Sequence, residues 1–304
     1  MIGALVATLR PKQWTKNLLL FAGVLFAQHL GDRTLVLRAL GGFAAFSLLS
    51  GTVYVLNDLA DVEADRQHPR KRRRPIASGR LPVAAARVAI LPLLAAVAAL
   101  SWWLGAHFAV VAGLYFVSNL AYSLALKRQV LIDVFVIAIC FVLRAIAGVE
   151  LLQPVSPGTE LSPWLLVCTF FGALFLALAK RQREMANAGS DGASQQREVL
   201  VHYTPELLDG LLLISAAASL MGYALYTIWP ATVAKFHTED LLYTVPFVAY
   251  GIFRYLFLVK ESENTEDPSQ VLLADRPLAG CVLIYLATVL WILYRGLAAG
   301  CRAG

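Results

Sequence analysis

The sequence predicts an all-α membrane protein with about nine transmembrane helices and a cytoplasmic N-terminus. Three observations support this fold class: the composition, the lengths of the apolar segments and the distribution of the cations. Hydrophobic residues make up 59% of the 304-residue chain and charged residues only 15%, whereas about 25% of the residues in soluble domains are charged. The mean hydropathy is +0.65. This composition excludes an ordinary soluble domain.

The apolar segments have the lengths expected of membrane-spanning helices, which need roughly 17–25 residues each. Residues 1–16 lack a long apolar core, so we expect a cytoplasmic or interfacial arm before the first span. The first span is short, and the third and fourth are separated by little more than Gly105 and His107. The predicted spans are 17–31, 36–56, 84–104, 107–126, 130–151, 162–179, 207–229, 241–259 and 279–299.

The cations lie mostly on one side of the predicted membrane. The polar interruptions that fall on the side of the N-terminus are 57–82, 127–129, 180–206 and 260–277. Together with the N-terminal arm and their flanks they carry 19 of the 26 Lys and Arg residues; five lie on the opposite side, and Arg144 and Arg254 lie within spans. Because cations accumulate in cytoplasmic loops, this asymmetry favours a cytoplasmic N-terminus. Topology also explains the net charge of +6, so we expect no nucleic-acid partner.

A row of carboxylates begins where the second predicted span ends. Asn57, Asp61 and Asp65 are spaced four residues apart, so on a helix they share one face, with Asp58 close to it. Oxygen ligands in such a row suit Mg²⁺, a hard cation that is usually shared with substrate phosphates. A solvated helix end explains one carboxylate, but several carboxylates beside the hydrocarbon are costly and typical of function. We therefore predict a Mg²⁺ site formed by Asn57, Asp61 and Asp65.

A run of cations follows the carboxylate row and consists of Arg70, Lys71, Arg72, Arg73 and Arg74. Such a run commonly anchors a loop in the cytoplasm, and this is the simplest role for Arg70 and Arg73. Beside a metal site, Lys and Arg side chains also bind phosphate, and Arg can do so through two parallel hydrogen bonds. A metal with neighbouring cations is typical of a site that stabilises a diphosphate leaving group.

With these residues the chain resembles a known family. The pattern N-D-x-x-D-x-x-x-D after the second span is similar to that of the UbiA superfamily of intramembrane prenyltransferases. Further motifs resemble the decaprenyl-phosphate phosphoribosyltransferase branch of that superfamily, and the resemblance covers residues from about 8 to 260. The motifs are RPKQWTKN (10–17), NDLADVEADRQHPRKRRRPIASG (57–79), YSLALKRQVLIDVFV (122–136), LRAIAG (143–148) and KRQRE (180–184).

The resemblance implies a UbiA-type helical bundle and a Mg²⁺-dependent reaction. In this reaction 5-phosphoribosyl 1-diphosphate and a polyprenyl (decaprenyl) phosphate give polyprenyl-phosphoryl 5-phosphoribose and diphosphate, a step before lipid-linked arabinose in bacterial cell-envelope synthesis. It implies a multi-pass protein of the bacterial inner membrane, with a single domain over 1–304 and with 57–82 and 180–206 as cytoplasmic active-site loops. The length of the polyprenyl chain and the formation of a homo-oligomer stay open.

The resemblance also implies roles for individual residues. Asn57, Asp61 and Asp65 would be the metal ligands and catalytic residues, with Asp58 in support. Substrate-binding roles are implied for Lys16, Lys71, Arg72, Arg74, Tyr122, Lys127, Lys180, Arg181 and Glu184.

The sequence departs from the usual UbiA pattern after the sixth span. Aromatic prenyltransferases of the superfamily usually carry a second D-x-x-x-D motif there, whereas this chain has KRQREMANAGSDGASQQRE with Asp191 alone. Cations at this place suit a ligand that brings its own negative charge, such as a 5-phosphate or a lipid phosphate. Two alternatives stay open: transfer of a prenyl chain to an aromatic acceptor, and a non-enzymatic lipid-binding or transport protein.

Buried charges in the predicted spans allow two interpretations. Asp133 and Arg144 are eleven residues apart on one helical face, and a charged side chain deep in a span should face the bundle interior. We favour a structural interhelical pair over a contact of Arg144 with the lipid phosphate. Lys16 lies beside Trp14, and this pair is typical of an interfacial anchor as well as of a phosphate contact.

Overall fold

The computed structural model of the chain describes residues 1–69, 71–159, 162–191, 198–261 and 274–300. Every regular element within these ranges is a helix. The α-helices are α1 (Ile2–Thr8), α2 (Phe21–Phe26), α3 (Arg33–Ala60), α4 (Val62–Gln67), α5 (Val83–Leu104), α6 (Ala106–Leu124), α7 (Ile132–Glu150), α8 (Pro163–Asp191), α9 (Pro205–Ile228), α10 (Pro230–Phe236), α11 (Val245–Glu261) and α12 (Arg276–Gly300). The 3₁₀ helices are Pro11–Leu20, Lys71–Arg73, Leu126–Arg128, Glu198–His202 and Asp240–Thr244.

Eight helical stretches of the described residues are long and apolar enough to cross a membrane. They are Arg33–Ala60, Val83–Leu104, Ala106–Leu124, Ile132–Glu150, Pro163–Ala186, Pro205–Ile228, Asp240–Lys260 and Arg276–Arg295. This confirms the all-α, multispanning fold. Gly105 separates α5 from α6 with a φ of 117°, a backbone conformation that glycine adopts readily.

The segment predicted as the first span, 17–31, has a different structure. It consists of the end of the 3₁₀ helix Pro11–Leu20, then α2, and a turn in which Gln28 has a φ of 59°. The physical reason is length, because the uninterrupted apolar run before Gln28 covers only about 15 Å as a helix, half of the hydrocarbon thickness. This short broken segment accounts for the difference between the nine predicted spans and the eight observed among the described residues.

The chain forms two compact units. The first unit contains residues 1–127 and 143–159, and the second contains residues 128–142 and 160–304. In the first unit, α3 packs against α5, α6 and the 3₁₀ helix Pro11–Leu20. In the second, α8 packs along α9, and α11 packs against α9 and α12. The predicted single domain over 1–304 stays a prediction.

Arg38, in the first unit, is buried near the start of α3, at the opposite end of this 28-residue helix from the carboxylate row. Its Nε donates to the Leu151 carbonyl at 2.6 Å, and its Nη2 donates to the Leu104 carbonyl. Both carbonyls lie where helices end, so they have no partner within their own helix. Arg38 therefore caps the C-terminal ends of α5 and α7 with one guanidinium group.

Candidate functional site

The carboxylate row lies where α3 ends and α4 begins. Asp61 leaves the helical conformation (φ −96°, ψ 10°) between Ala60 and Val62, so the row is not on one continuous helix as its spacing predicted. The register survives the break, because the Asp61 N–H donates to the Asn57 carbonyl (2.9 Å) and the Asp65 N–H donates to the Asp61 carbonyl (2.8 Å). Asn57, Asp61 and Asp65 therefore remain stacked one turn apart.

Two of the carboxylates are buried in an ion-pair network. Asp58 and Asp65 are each only 2% exposed. Arg74 Nη1 lies between them, 3.1 Å from Asp58 Oδ1 and 2.7 Å from Asp65 Oδ2, and Arg10 Nη2 donates to the same Asp58 oxygen at 2.7 Å. Charge-assisted hydrogen bonds thus offset part of the cost of removing both carboxylates from water. Arg74, predicted as a phosphate ligand, also bridges two carboxylates of its own motif.

Arg10 is a site residue that the sequence analysis missed. It precedes the 3₁₀ helix Pro11–Leu20 with a left-handed backbone (φ 52°, ψ 64°), which is uncommon for a residue other than glycine. Its guanidinium carbon lies 4.5 Å from the centroid of the Tyr54 ring, and Tyr54 is one helical turn from Asp58 on α3. The ring and the carboxylate therefore hold Arg10 from two sides. The sequence signal that could have identified Arg10 is the motif RPKQWTKN, of which Arg10 is the first residue.

Asp61 is the most accessible carboxylate among Asp58, Asp61 and Asp65. Its side chain is 36% exposed, and Lys127 Nζ lies 3.8 Å from its Oδ2. Lys127 belongs to the 3₁₀ turn Leu126–Arg128 that follows α6, and Tyr122 lies half-buried in the last turn of α6. The structure thus brings Lys127 of the Tyr122–Lys127 motif into an ion pair with the carboxylate row.

The other cations predicted in the first unit lie on segments that flank the network. Lys71 and Arg72 are exposed in the 3₁₀ turn Lys71–Arg73, which leads directly to Arg74. Lys16 is half-buried in the 3₁₀ helix that follows Arg10. Arg70 lies outside the described residues.

The chemistry of the donor set fits Mg²⁺. Asn57 supplies an amide oxygen, Asp61 and Asp65 supply carboxylate oxygens, and Mg²⁺ usually completes its coordination with water and substrate oxygens. In the described parts of the chain, no three His, Cys, Asp or Glu side chains form a metal-binding group. Because Arg74 and Lys127 neutralise Asp65 and Asp61, a divalent cation entering the row competes with both.

The motif KRQRE lies within helix α8 and not in a loop, because α8 continues to Asp191; the side chain of Asp191 is outside the described residues. Lys180 is 41% exposed on its side chain, and its Nζ lies 3.9 Å from Glu184 Oε1. Arg181, by contrast, is only 1% exposed. Lys180 is therefore the cation of this motif that an incoming anion can reach.

Arg181 belongs to a buried cluster with Asp133 and Tyr203. Its Nε donates to Asp133 Oδ2 at 2.7 Å, and its Nη1 donates to Glu184. The Tyr203 hydroxyl donates to Asp133 Oδ1 at 2.9 Å and accepts the Leu131 N–H at 2.8 Å. Burial and the neighbouring Asp133 carboxylate raise the pKa of Tyr203 from 10.0 to about 12. The cluster connects the N-terminal ends of α7 and α9 to α8. Arg181, which was predicted to bind substrate, therefore lies in a structural environment.

Asp133 and Arg144 both contact other helices and not each other, and Asp133 pairs with Arg181 of α8. The two residues are eleven positions apart, about 16 Å along a helix, which is too far for direct contact. Arg144 is 6% exposed; its Nε donates to Asn17 Oδ1 at 2.8 Å and its Nη2 donates to the Tyr115 hydroxyl at 2.6 Å. Its guanidinium carbon also lies 4.6 Å from the centroid of the Tyr115 ring.

Known proteins share both the sequence and the fold of this chain. Residues 17–274 match the UbiA prenyltransferase family. The decaprenyl-phosphate phosphoribosyltransferase of Mycolicibacterium smegmatis is 33% identical over 299 residues, covering 95% of this chain and 92% of that protein. The protein of the same name from Corynebacterium glutamicum is 35% identical over 300 residues, covering 95% of this chain and 86% of its own.

Among solved structures, a UbiA homolog from Archaeoglobus fulgidus bound to DMAPP and Mg²⁺ has the same fold. The TM-score is 0.70 at 18% sequence identity, and the match covers 95% of this chain and 98% of that one.

Proposed function

Since the chain belongs to the UbiA prenyltransferase family, we propose that it transfers 5-phosphoribose from 5-phosphoribosyl 1-diphosphate to a polyprenyl phosphate. The products are polyprenyl-phosphoryl 5-phosphoribose and diphosphate. One observation carries this choice of substrates: two relatives named decaprenyl-phosphate phosphoribosyltransferase are 33% and 35% identical over 95% of the chain. The acceptor named in those relatives is decaprenyl phosphate, and we propose the same lipid class here.

The donor diphosphate binds at the carboxylate row and its cations. Asn57, Asp61 and Asp65 would hold Mg²⁺, which would supply positive charge for the leaving diphosphate. Arg74 and Lys127 already contact Asp65 and Asp61, so both cations lie beside the residues that would hold the metal and would be available to the diphosphate oxygens. Arg74 offers a planar fork for such an oxygen pair, and Lys127 offers a point charge.

Lys71, Arg72 and Lys16 supply further cations for the remaining phosphate groups. Their segments adjoin Arg74 and Arg10 in the sequence, and both arginines are anchored on Asp58. Asp58 is buried and already accepts hydrogen bonds from the guanidinium groups of Arg10 and Arg74. We therefore assign Asp58 the role of orienting these two arginines, and not the role of a metal ligand.

Lys180 lies at the sequence position where aromatic prenyltransferases carry acidic residues. Lys180 is accessible, while Arg181 fixes α8 through Asp133 and Glu184. An exposed ammonium group favours a ligand with its own negative charge, such as the phosphate of the lipid or the 5-phosphate of the ribose. A Mg²⁺-bound prenyl diphosphate would need the acidic pair instead.

The reaction forms one C–O bond and breaks another at C1 of the ribose. An oxygen of the lipid phosphate attacks C1 from the face opposite the leaving diphosphate, so the configuration at C1 inverts. Because the nucleophile is already an anion, no side chain has to remove a proton. The task of the protein is to align the two substrates and to stabilise the charge that develops on the diphosphate.

We place the site at the cytoplasmic face of the bacterial inner membrane. The sugar donor is highly charged and comes from the aqueous phase, whereas the acceptor is a lipid whose phosphate lies at the membrane surface. The excess of cations on the segments that contain the carboxylate row supports this orientation.

The proposal is tested with purified full-length protein, 5-phosphoribosyl 1-diphosphate, Mg²⁺ and decaprenyl phosphate, and with lipid-linked phosphoribose as the readout. We expect Asp61→Asn and Asp65→Asn to lower turnover about 100-fold or more and EDTA to abolish it. Asp32→Asn is the matched control, because Asp32 caps the opposite end of α3 through backbone N–H groups and asparagine caps equally well.

Two results would contradict the proposal: no lipid-linked phosphoribose from the wild-type protein, or full turnover by both row variants. A parallel reaction with a prenyl diphosphate and an aromatic acceptor tests the alternative prenyl transfer. Diphosphate release in only that reaction would favour the alternative.

A further inference from the structure

The segment that carries Lys16 has an unusual conformation. Residues Pro11–Leu20 form a 3₁₀ helix of ten residues, whereas runs beyond about three or four residues are uncommon because the hydrogen-bond geometry is poor. Exposure along the segment repeats every third residue, as this geometry requires. The exposed stripe is Lys12, Thr15 and Leu18; the half-buried stripe is Gln13, Lys16 and Leu19; the buried residues are Asn17 and Leu20.

Two residues of the LRAIAG motif contact the buried residues of this segment. Arg144 donates to the Asn17 side chain, whose own Nδ2 donates to Ser47 Oγ at 3.1 Å. One turn later, Gly148 lies so close to the segment that a Cβ there would overlap the Leu20 carbonyl oxygen. Arg144 and Gly148 therefore form a docking strip on α7 for the 3₁₀ helix.

The close backbone approach continues past Leu20. A Cβ at Gly23, in α2, would overlap the Gly148 carbonyl oxygen. Only glycine at both positions lets the two backbones touch. The docking strip thus combines one long buried cation with one residue that has no side chain.

The 3₁₀ geometry decides where Arg10 points. Arg10 directly precedes the 3₁₀ helix, whose first residue, Pro11, is six positions before Asn17. A 3₁₀ helix turns about 120° per residue, whereas an α-helix turns about 100°. Over these six residues the two geometries differ by about 120° in direction and about 3 Å in length. The Arg144–Asn17 and Arg10–Asp58 hydrogen bonds form together on this 3₁₀ geometry, and an α-helical segment would displace one end relative to the other.

We infer that Arg144 and Gly148 are positioning residues, which hold Pro11–Leu20 as a 3₁₀ helix. In this way they keep Arg10 hydrogen-bonded to Asp58 and keep Lys16 half-buried. Arg144 acts through Asn17 and not by touching a substrate. The effect of the docking strip on binding of the sugar donor rests on the proposed function, whereas its effect on the conformation of Pro11–Leu20 does not.

The test uses Arg144→Lys and Asn17→Ala in the full-length protein, with Arg38→Lys as the matched control. Arg38 is also a buried arginine of the first unit, but it binds carbonyls at the other end of α3. Hydrogen–deuterium exchange of peptides covering residues 10–17 reports on the segment. The KM for 5-phosphoribosyl 1-diphosphate and kcat, measured by diphosphate release, report on the donor site.

We expect the backbone amides of residues 10 and 12–17 to exchange about tenfold faster in Arg144→Lys and Asn17→Ala, as for the loss of one charged hydrogen bond. The donor KM should rise about tenfold with a smaller change in kcat, while Arg38→Lys lowers the melting temperature and leaves both readouts unchanged. Unchanged exchange in both variants would overturn the inference, as would faster exchange with an unchanged donor KM. If the wild-type protein has no phosphoribosyl transfer, the proposed function fails, and the exchange measurement still decides whether the strip holds the segment.

Discussion

Replacing Asp58 with asparagine should distinguish the role of Asp58, which orients two arginines, from the role of the carboxylates that bind metal. Asp58 is 2% exposed and accepts hydrogen bonds from Arg10 and Arg74 at 2.7 and 3.1 Å. Asparagine keeps the shape of the side chain but removes its charge and turns one acceptor into a donor. Both guanidinium groups would then lose a charge-assisted bond in a buried position.

The expected loss of unfolding free energy depends on how exposed the Arg10 and Arg74 side chains are. Removing one member of a fully buried ion pair costs about 3–5 kcal/mol. The Arg10 and Arg74 side chains are 30% and 25% exposed, so water recovers part of their solvation, and we expect a loss of about 2 kcal/mol of unfolding free energy. Asp61→Asn is the matched comparison: Asp61 is 36% exposed and 3.8 Å from Lys127, and such a pair contributes about 0–1 kcal/mol.

Three measurements on each variant test this reasoning: the melting temperature in detergent, the affinity for Mn²⁺ as a paramagnetic substitute for Mg²⁺, and turnover. Asp58→Asn should melt several degrees lower and still bind Mn²⁺. Asp61→Asn should melt near the wild-type temperature, bind Mn²⁺ more weakly and lose turnover. If Asp58→Asn melts at the wild-type temperature, or if both variants lose Mn²⁺ binding equally, the assignment of Asp58 is refuted.

Two further predictions concern stability. Gly148→Ala should destabilise the protein by about 1–3 kcal/mol or more, since the added Cβ would overlap the Leu20 carbonyl oxygen. Gly113 in α6 has open space around it, so the control Gly113→Ala should be neutral or stabilising by about 0.5–1 kcal/mol. Equal melting temperatures of the two variants would contradict the close approach of Gly148 to Leu20. Because the raised pKa of Tyr203 favours the neutral phenol in the folded state, its contribution is fully present below pH 10.0 and is lost as the pH rises through about 12. The difference in melting temperature between the wild-type protein and Tyr203→Phe should therefore shrink or reverse above pH 10.0, the ordinary pKa of tyrosine, and a constant difference would show that the phenol is not protected.

The sequence predicted those features that depend on neighbours along the chain. Apolar segment length identified the long helices, and the four-residue spacing of Asn57, Asp61 and Asp65 placed them on one face even though α3 ends between them. Both signals are local, because helix periodicity fixes which side chains meet within a few turns.

Features that depend on tertiary contacts were not accessible in this way. Asp133 has one partner 48 residues away and another 70 residues away, and helix spacing cannot identify partners so far apart in the sequence. Arg10 was missed for the same reason, since Asp58 is 48 residues distant. The 3₁₀ conformation of the first segment has no periodic hydrophobic signal of its own and is stabilised by α3 and α7.

The threefold repeat of exposure in Pro11–Leu20 limits how this part of the protein can change through evolution. Substitutions on the exposed stripe leave the contacts of Asn17 and Arg10 intact. An inserted or deleted residue between them, however, turns Arg10 through a third of a circle and moves it by about 2 Å, away from Asp58. The spacing between the first and last residues of RPKQWTKN is therefore under stronger constraint than most of the residues between them.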